Sequence, residues 1–428
     1  MKDWKIADIT AREVLNNKGY PVLEVEVASE GGKIGCGSAS FGVSAGSHEV
    51  AILRDGGTRY GGMGVLKPMT LVRGKILPRL RGMDCRDQRA IDEAMIELDG
   101  TPDKSALGGN TICSVSLAVA DLGAQHMGLP LYQHLGGRLR NVLPLPLFNF
   151  INGGPYSAGP TDFQEFHGAP VAAKTFAEAM RMGVEVSMKL PEVIKRRHGA
   201  DAYRPGHLGG VGAPAADPRE VLKTLLAAID EAGYADKFLL SLDCATTHLY
   251  DAQSDTYAMS FGTLSSRELA DYFRELVREF PLFMLEDPFN EDDFEAFAAL
   301  NADTETLICG DDLFVTNKAR LRHGVGMGAA GAMIFKPNMI GSVTEALDAA
   351  GFAVSRGMEV IPSLRAATSP GDPTAELGMA VGARLMKVGA PQTGERTRQQ
   401  NRLMRIEESL GPLAAMIDEA EVRRWLSC

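Results

Sequence analysis

The chain has 428 residues, of which 45% are hydrophobic and 23% charged, and a formal net charge of −11. That length exceeds one ordinary core, so two domains are expected unless one of them is a large α/β barrel. The acidic balance disfavours nonspecific nucleic-acid or anionic-membrane binding, and no apolar run approaches the roughly 18 residues of a membrane span.

The opening MKDWKIADIT lacks the apolar region of a signal peptide. Six cysteines are scattered singly, with no C-x-x-C pair. They read as reduced packing residues, which points to a cytoplasmic protein. Strands are expected at Lys5–Leu15 and Pro21–Ala28, the second from the alternation of Val22, Glu24 and Glu26. The Gly- and Ser-rich stretch Gly35–His48 reads as a long loop. Helical periodicity runs from Lys67 to His134, clearest in Ile91–Leu98 and Ile112–Met127. A boundary is expected near Arg138–Pro144, giving an N-terminal domain over 1–138 and a second over 139–428.

Beyond that boundary, eight strand candidates mostly alternate with helices: Leu143–Phe150, Phe163–Pro170, Phe238–Asp243, Leu282–Glu286, Thr306–Asp311, Gly331–Lys336, Glu359–Ser363 and Leu385–Val388. This pattern predicts an α/β fold with a TIM-type (β/α)8 barrel. A doubly wound sheet is disfavoured because no Gly-x-Gly-x-x-Gly follows an early strand. Asp243 in SLDCAT, Glu286 in MLEDPF, Asp311 in CGDDLF and Lys336 in MIFKPN each end a strand run. One acidic residue there commonly caps the next helix. Chemistry-bearing residues at four such ends point instead to the catalytic face of a barrel.

These segments resemble the enolase family, and the resemblance covers the whole chain. VLNNKGYPVLEVEV, FGVSAGSHEV, FINGG, FQEF, SLDCA, LEDPFNEDD, GDDLFVTN, FKPNMIGS, VGAP and NRLMRIEE occur in the family's order. The resemblance implies a small α+β N-terminal domain on an atypical eight-stranded barrel, and a homodimer or higher homo-oligomer. Glu24 and Arg405 match a family contact between subunits. It further implies two Mg²⁺ ions that stabilise an enolate formed from 2-phosphoglycerate, for which hard oxygen ligands are the right composition. By motif, Asp243, Glu286 and Asp311 hold the first metal, and Ser44 reaches the second. Lys336 matches the catalytic base and Lys387 the lysine that contacts substrate. Arg365 matches the phosphate-binding arginine, and Gln164 with Glu165 the polar pair lining the pocket, Glu165 being counted with the catalytic groups.

The pattern breaks where the family places its general acid. In Gly206-His207-Leu208-Gly209-Gly210 a leucine occupies the position of that glutamate, and leucine donates no proton. Tyr156 replaces a loop histidine, while Leu364 and Ala366 replace a histidine and a serine beside Arg365. Retained activation with an altered second step predicts a specialised reaction on a phosphorylated or phosphonylated three-carbon acid. The leading expectation is therefore a Mg²⁺-dependent enolase-superfamily enzyme running such a specialised reaction, for example the carboxyphosphonoenolpyruvate synthesis of a phosphonoformate-transferring branch in phosphonate biosynthesis. The alternatives are a divergent enolase in which substrate-lining His207 or Tyr156 donates the proton, and a catalytically silent enolase-fold binding protein.

Overall fold

The computed structural model describes residues 3–42, 46–155, 159–206 and 209–426. The N-terminal part begins with an antiparallel three-stranded sheet, β1 (Ile6–Leu15), β2 (Pro21–Ser29) and β3 (Ile34–Ser38). Alternate residues of β2 are buried, as a one-sided sheet requires. Helices Gln88–Asp99 and Gly109–Met127 follow, and Ile91, Met95, Ile112 and Val119 close an apolar core on Val25 and Val27.

The expected loop at Gly35–His48 therefore starts as a strand. Its glycines reflect close packing more than mobility. A Cβ on Gly37 would fall 2.3 Å from the Ala118 nitrogen, and one on Gly35 would fall 2.2 Å from the Ala118 oxygen. Only glycine lets β3 lie this close to the helix.

Eight further strands form the barrel: β4 (Leu145–Asn152), β5 (Glu165–Ala169), β6 (Leu239–Asp243), β7 (Leu282–Glu286), β8 (Leu307–Gly310), β9 (Ala332–Phe335), β10 (Glu359–Pro362) and β11 (Leu385–Lys387). Their order around the sheet is β10-β9-β8-β7-β6-β5-β4-β11. A parallel bridge between Ser363 and Lys387 brings the two ends together. The strands are buried throughout or nearly so, which is why they read as continuous apolar runs without alternation. The predicted run Leu143–Phe150 divides at Pro144: Val142–Leu143 pairs with Ala415–Met416, and β4 starts after the proline.

One strand breaks the parallel order. β5 runs antiparallel to both β4 and β6, with Glu165 opposite Asn152 on one side and Asp243 on the other. Its first residues therefore lie at the end of the barrel where its neighbours finish. Gln164 and Glu165, which begin a strand, thus meet residues that end one.

A buried polar joint ties the N-terminal helices to the barrel. Asp92 accepts from the Thr344 backbone N–H at 3.0 Å and from Gln88 Nε2 at 3.1 Å. Ser116 Oγ accepts from the Val343 N–H at 2.9 Å. Both backbone donors belong to the first turn of helix Val343–Ser355, where no intrahelical acceptor exists. Replacing Asp92 by alanine orphans the Thr344 N–H inside the protein. The substitution is expected to lower stability by about 1–3 kcal/mol, seen as an earlier urea-unfolding midpoint.

Candidate active site

The chemistry-bearing side chains meet in a cavity at the C-terminal end of the barrel. It is lined by Gln164, Glu165, Asp243, Asp287, Asp311, Asp312, Lys336, Leu364, Arg365, Lys387 and their neighbours. Lys387, the last residue of β11, is at its centre. Its Nζ lies 2.8 Å from Asp243 Oδ2, 2.7 Å from Glu286 Oε2 and 3.0 Å from Glu165 Oε2. Asp243 and Glu286 end the adjacent parallel strands β6 and β7, where they pair directly.

Glu165 is held from several sides. Asn149 Nδ2 donates to its Oε1 at 2.5 Å, and His167 Nε2 lies 3.0 Å from its Oε2. Burial alone would raise the Glu165 carboxyl, but the Lys387 ammonium and His167 pull it below the ordinary carboxylate range. Lys387 is also buried, which works against its charge, yet Asp243, Glu165 and Glu286 hold it well above the ordinary lysine value. Glu286 goes the other way. Burial and the neighbouring Asp243 charge raise it well above its usual value. One ammonium does not neutralise three carboxylates.

A second cluster adjoins the first. Lys336, which follows β9, forms a short ion pair with Asp311, which follows β8. Asp287 accepts from the backbone N–H groups of Asp311 and Asp312, at 3.0 and 2.8 Å. A left-handed backbone at Asp287, with φ of 42°, follows the end of β7. Burial and Asp311 push its carboxyl up to about 8, and burial with Asp287 raises Asp312 well above the usual range.

The structure thus brings Asp243, Glu286, Asp311, Lys336, Lys387, Glu165, Gln164 and Arg365 to one end of the barrel, but the tightest carboxylate group differs from the expected one. Among the described residues, Asp287, Asp311 and Asp312 are the acidic trio whose oxygens lie within 4.8 Å of one another. Asp287 spends both oxygens on backbone donors, so it shapes the turn and is poorly placed to serve as a ligand. Ser44, Tyr156, His207 and Leu208 lie outside the described residues.

The site fits a hard divalent cation. Its donors are carboxylate oxygens, the composition Mg²⁺ favours. The buried Asp311 Oδ1 and Gln164 Oε1 have no protein partner among the described residues. The excess of buried acid calls for positive charge. Asp243, Glu286 and Asp311 are the residues that would hold it.

Several contributors escaped the sequence reading. Asp287 and Asp312 are the second members of acidic doublets whose neighbours were singled out. Glu49 pairs with Arg365 at 2.9 Å, and His167 supports Glu165. Glu49 lies inside FGVSAGSHEV and His167 directly follows FQEF, which is the only signal the sequence offers for them.

Residues 6–135 match the family description "Enolase, N-terminal domain", and residues 140–424 match "Enolase, C-terminal TIM barrel domain". The chain belongs to the enolase family. It is 44% identical over 408 residues to the enolase of Methanocaldococcus jannaschii, covering 95% of this chain and 96% of that relative. Similarity to the Methanothrix thermoacetophila enolase is 42% over 422 residues, covering 98% and 99%. The Methanopyrus kandleri enolase is also 42% identical, with 96% and 97% covered. The protein is accordingly an enzyme of the carbon–oxygen lyase type.

These relatives overturn the expectation of a carboxyphosphonoenolpyruvate synthase. Near-full-length similarity is to enolases, and nothing favours phosphonoformate transfer. Leu208 carries less weight than this similarity: losing one proton donor alters one step of a reaction, whereas identity to enolases runs over nearly the full chain.

Three raised carboxyls (Glu286, Asp287 and Asp312) hold protons in the folded state that the unfolded chain releases. Without a divalent cation, they make stability fall as pH rises above the ordinary carboxylate range; for Asp287 that loss runs up to about pH 8, and Glu286 and Asp312 act in the same sense. Glu165 acts in the opposite sense, its contribution being lost at acid pH. Thermal melts in EDTA and in excess Mg²⁺ should therefore differ more at pH 8 than at pH 5.

Proposed function

We propose that this protein is a divergent phosphopyruvate hydratase, interconverting 2-phosphoglycerate and phosphoenolpyruvate with Mg²⁺. The observation that carries the reading is the convergence of Lys387, Asp243, Glu286 and Glu165 with the Lys336–Asp311 pair and Arg365 in one cavity. Such an arrangement suits a small acid bearing a carboxylate at one end and a phosphate at the other.

In this reading, Asp243, Glu286 and Asp311 would hold Mg²⁺, which would supply fixed positive charge to stabilise the developing enolate. Lys336 removes the proton at C2. Asp311 pairs with the Lys336 amine and holds it at the cavity wall. Lys387 contacts the carboxylate end, with Glu165 and Gln164 ordering the same wall. Arg365 takes the phosphate, for which its planar fork is suited.

The leaving hydroxide must be protonated, and Leu208 cannot do this. We assign that step to His207 or Tyr156, both of which have donors. His207 adjoins the family's acid position and Tyr156 takes the place of its loop histidine, which supports the assignment. The resemblance also supports a cytoplasmic homodimer. Glu24 already accepts from Arg12 at 2.8 Å within the chain, so any contact with Arg405 of a second copy would extend an existing pair. No helix among the described residues is long and apolar enough to cross a membrane.

Two readouts separate the half-reactions. Exchange of the C2 proton of 2-phosphoglycerate in deuterated water reports enolisation, and absorbance reports phosphoenolpyruvate. The wild-type protein with Mg²⁺ should show both, and Lys336→Ala should lose both. His207→Ala or Tyr156→Phe, whichever removes the donor, should retain exchange and lose about 10²–10⁴-fold in dehydration. Leu208→Glu should raise dehydration. Wild-type protein that neither exchanges nor dehydrates the substrate would refute the assignment.

A further inference from the structure

Arg365 is buried, with its side chain only 4% exposed, and its ion-pair partner among the described residues, Glu49, is equally hidden. Glu49, near the end of FGVSAGSHEV, has a side chain that is 5% exposed. Arg365 Nη2 donates to both Glu49 oxygens, at 2.9 and 3.0 Å. Nη1 of the same guanidinium is buried with no protein partner among the described residues, and Arg365 lines the cavity.

The surroundings restrict the fork further. A Cβ at Gly42 would fall 1.9 Å from Nη2, so the backbone there passes directly against the guanidinium. The Arg365 carbonyl accepts from Thr368 Oγ1 at 2.6 Å and from Arg396 Nη2 at 3.2 Å, fixing the other end of the residue. Glu49 is anchored on both sides. The Ser47 N–H donates to Glu291 Oε2 at 3.0 Å, and the Val50 N–H donates to the Met339 carbonyl at 3.0 Å.

We propose that Glu49 is a positioning residue for the anion-binding end of the site: it holds Nη2 of Arg365 and so presents Nη1 to the phosphate of the substrate. The proposal rests on the reading of the cavity as a site for a phosphorylated three-carbon acid. A carboxylate beside a phosphate could instead act as its competitor. Two features oppose that role. Glu49 occupies only one of the two terminal nitrogens, and a buried arginine without a counter-charge would be costly. A guanidinium already neutralised and oriented gives up little rotational freedom when the ligand arrives.

The test compares wild type with Glu49→Gln and Glu49→Ala, using 2-phosphoglycerate kinetics with Mg²⁺, calorimetric titration with inorganic phosphate, and thermal melts. Glu49→Ala should raise KM about 10-fold, the loss expected for one charge-assisted hydrogen bond. Its kcat should stay within about threefold, because binding and not the reacting centre is affected. Glu49→Gln keeps an acceptor oxygen and should fall between the two, so it carries the test if the alanine variant does not fold. Phosphate affinity should follow the same order. Unchanged KM and phosphate affinity in both folded variants would overturn the proposal, and tighter binding would make Glu49 a competitor. If wild type makes no phosphoenolpyruvate, the functional reading falls, and the phosphate titration still decides the role of Glu49.

Discussion

A buried lysine surrounded by acids dominates the energetics of the catalytic end. Lys387 reaches Asp243, Glu286 and Glu165 within 3.0 Å, and none of these groups tolerates burial alone. Removing the ammonium would leave three carboxylates facing one another in a poorly solvated site, the costly case for a broken buried ion pair. Even with it, Glu286 stays well above its ordinary range. The fold therefore concentrates more negative charge at this point than its own cations balance. That imbalance is the physical basis for expecting a divalent ion there.

The barrel makes this concentration possible. Parallel strands β6 to β9 deliver Asp243, Glu286, Asp311 and Lys336 at or just beyond their last residues, side by side. β11 brings Lys387 beside them through the Ser363 bridge. The reversed β5 contributes what a parallel strand could not, because its first residue, Glu165, lies opposite Asp243. The apolar strand interiors, represented by Leu239, Phe283, Ile334 and Ile361, hold these ends in register. Precision at the polar end thus derives from packing elsewhere in the barrel.

Much of this arrangement is legible in the chain. Eight apolar runs and the residues that end them lead to the barrel and its catalytic face, and the ordered motifs lead to the family. Other features depend on contacts distant in sequence. Nothing in FQEFHGA reveals that the strand is reversed, since burial on both faces erases the alternation that might have marked it. The glycines at 35 and 37 look like loop residues until helix Gly109–Met127 is seen against them. Asp287 and Asp312 are indistinguishable in sequence from their acidic neighbours, and only the hydrogen bonds from backbone N–H groups 311 and 312 to Asp287 separate a turn-forming carboxylate from a potential ligand. Leu208 acts in the converse way: a conspicuous departure at one position points to a different reaction, while the chain is enolase-like over nearly its full length.

The surplus of acid at this end of the barrel makes Asp243, Glu286 and Asp311 the expected holders of a divalent cation. Crystals grown or soaked with Mn²⁺ test it directly, because anomalous scattering locates that ion independently of the protein model. The expected result is a peak coordinated by oxygens of those three residues, with Lys387 withdrawn from at least one of them. A peak among Asp287, Asp311 and Asp312 alone, or none at saturating Mn²⁺, would contradict it.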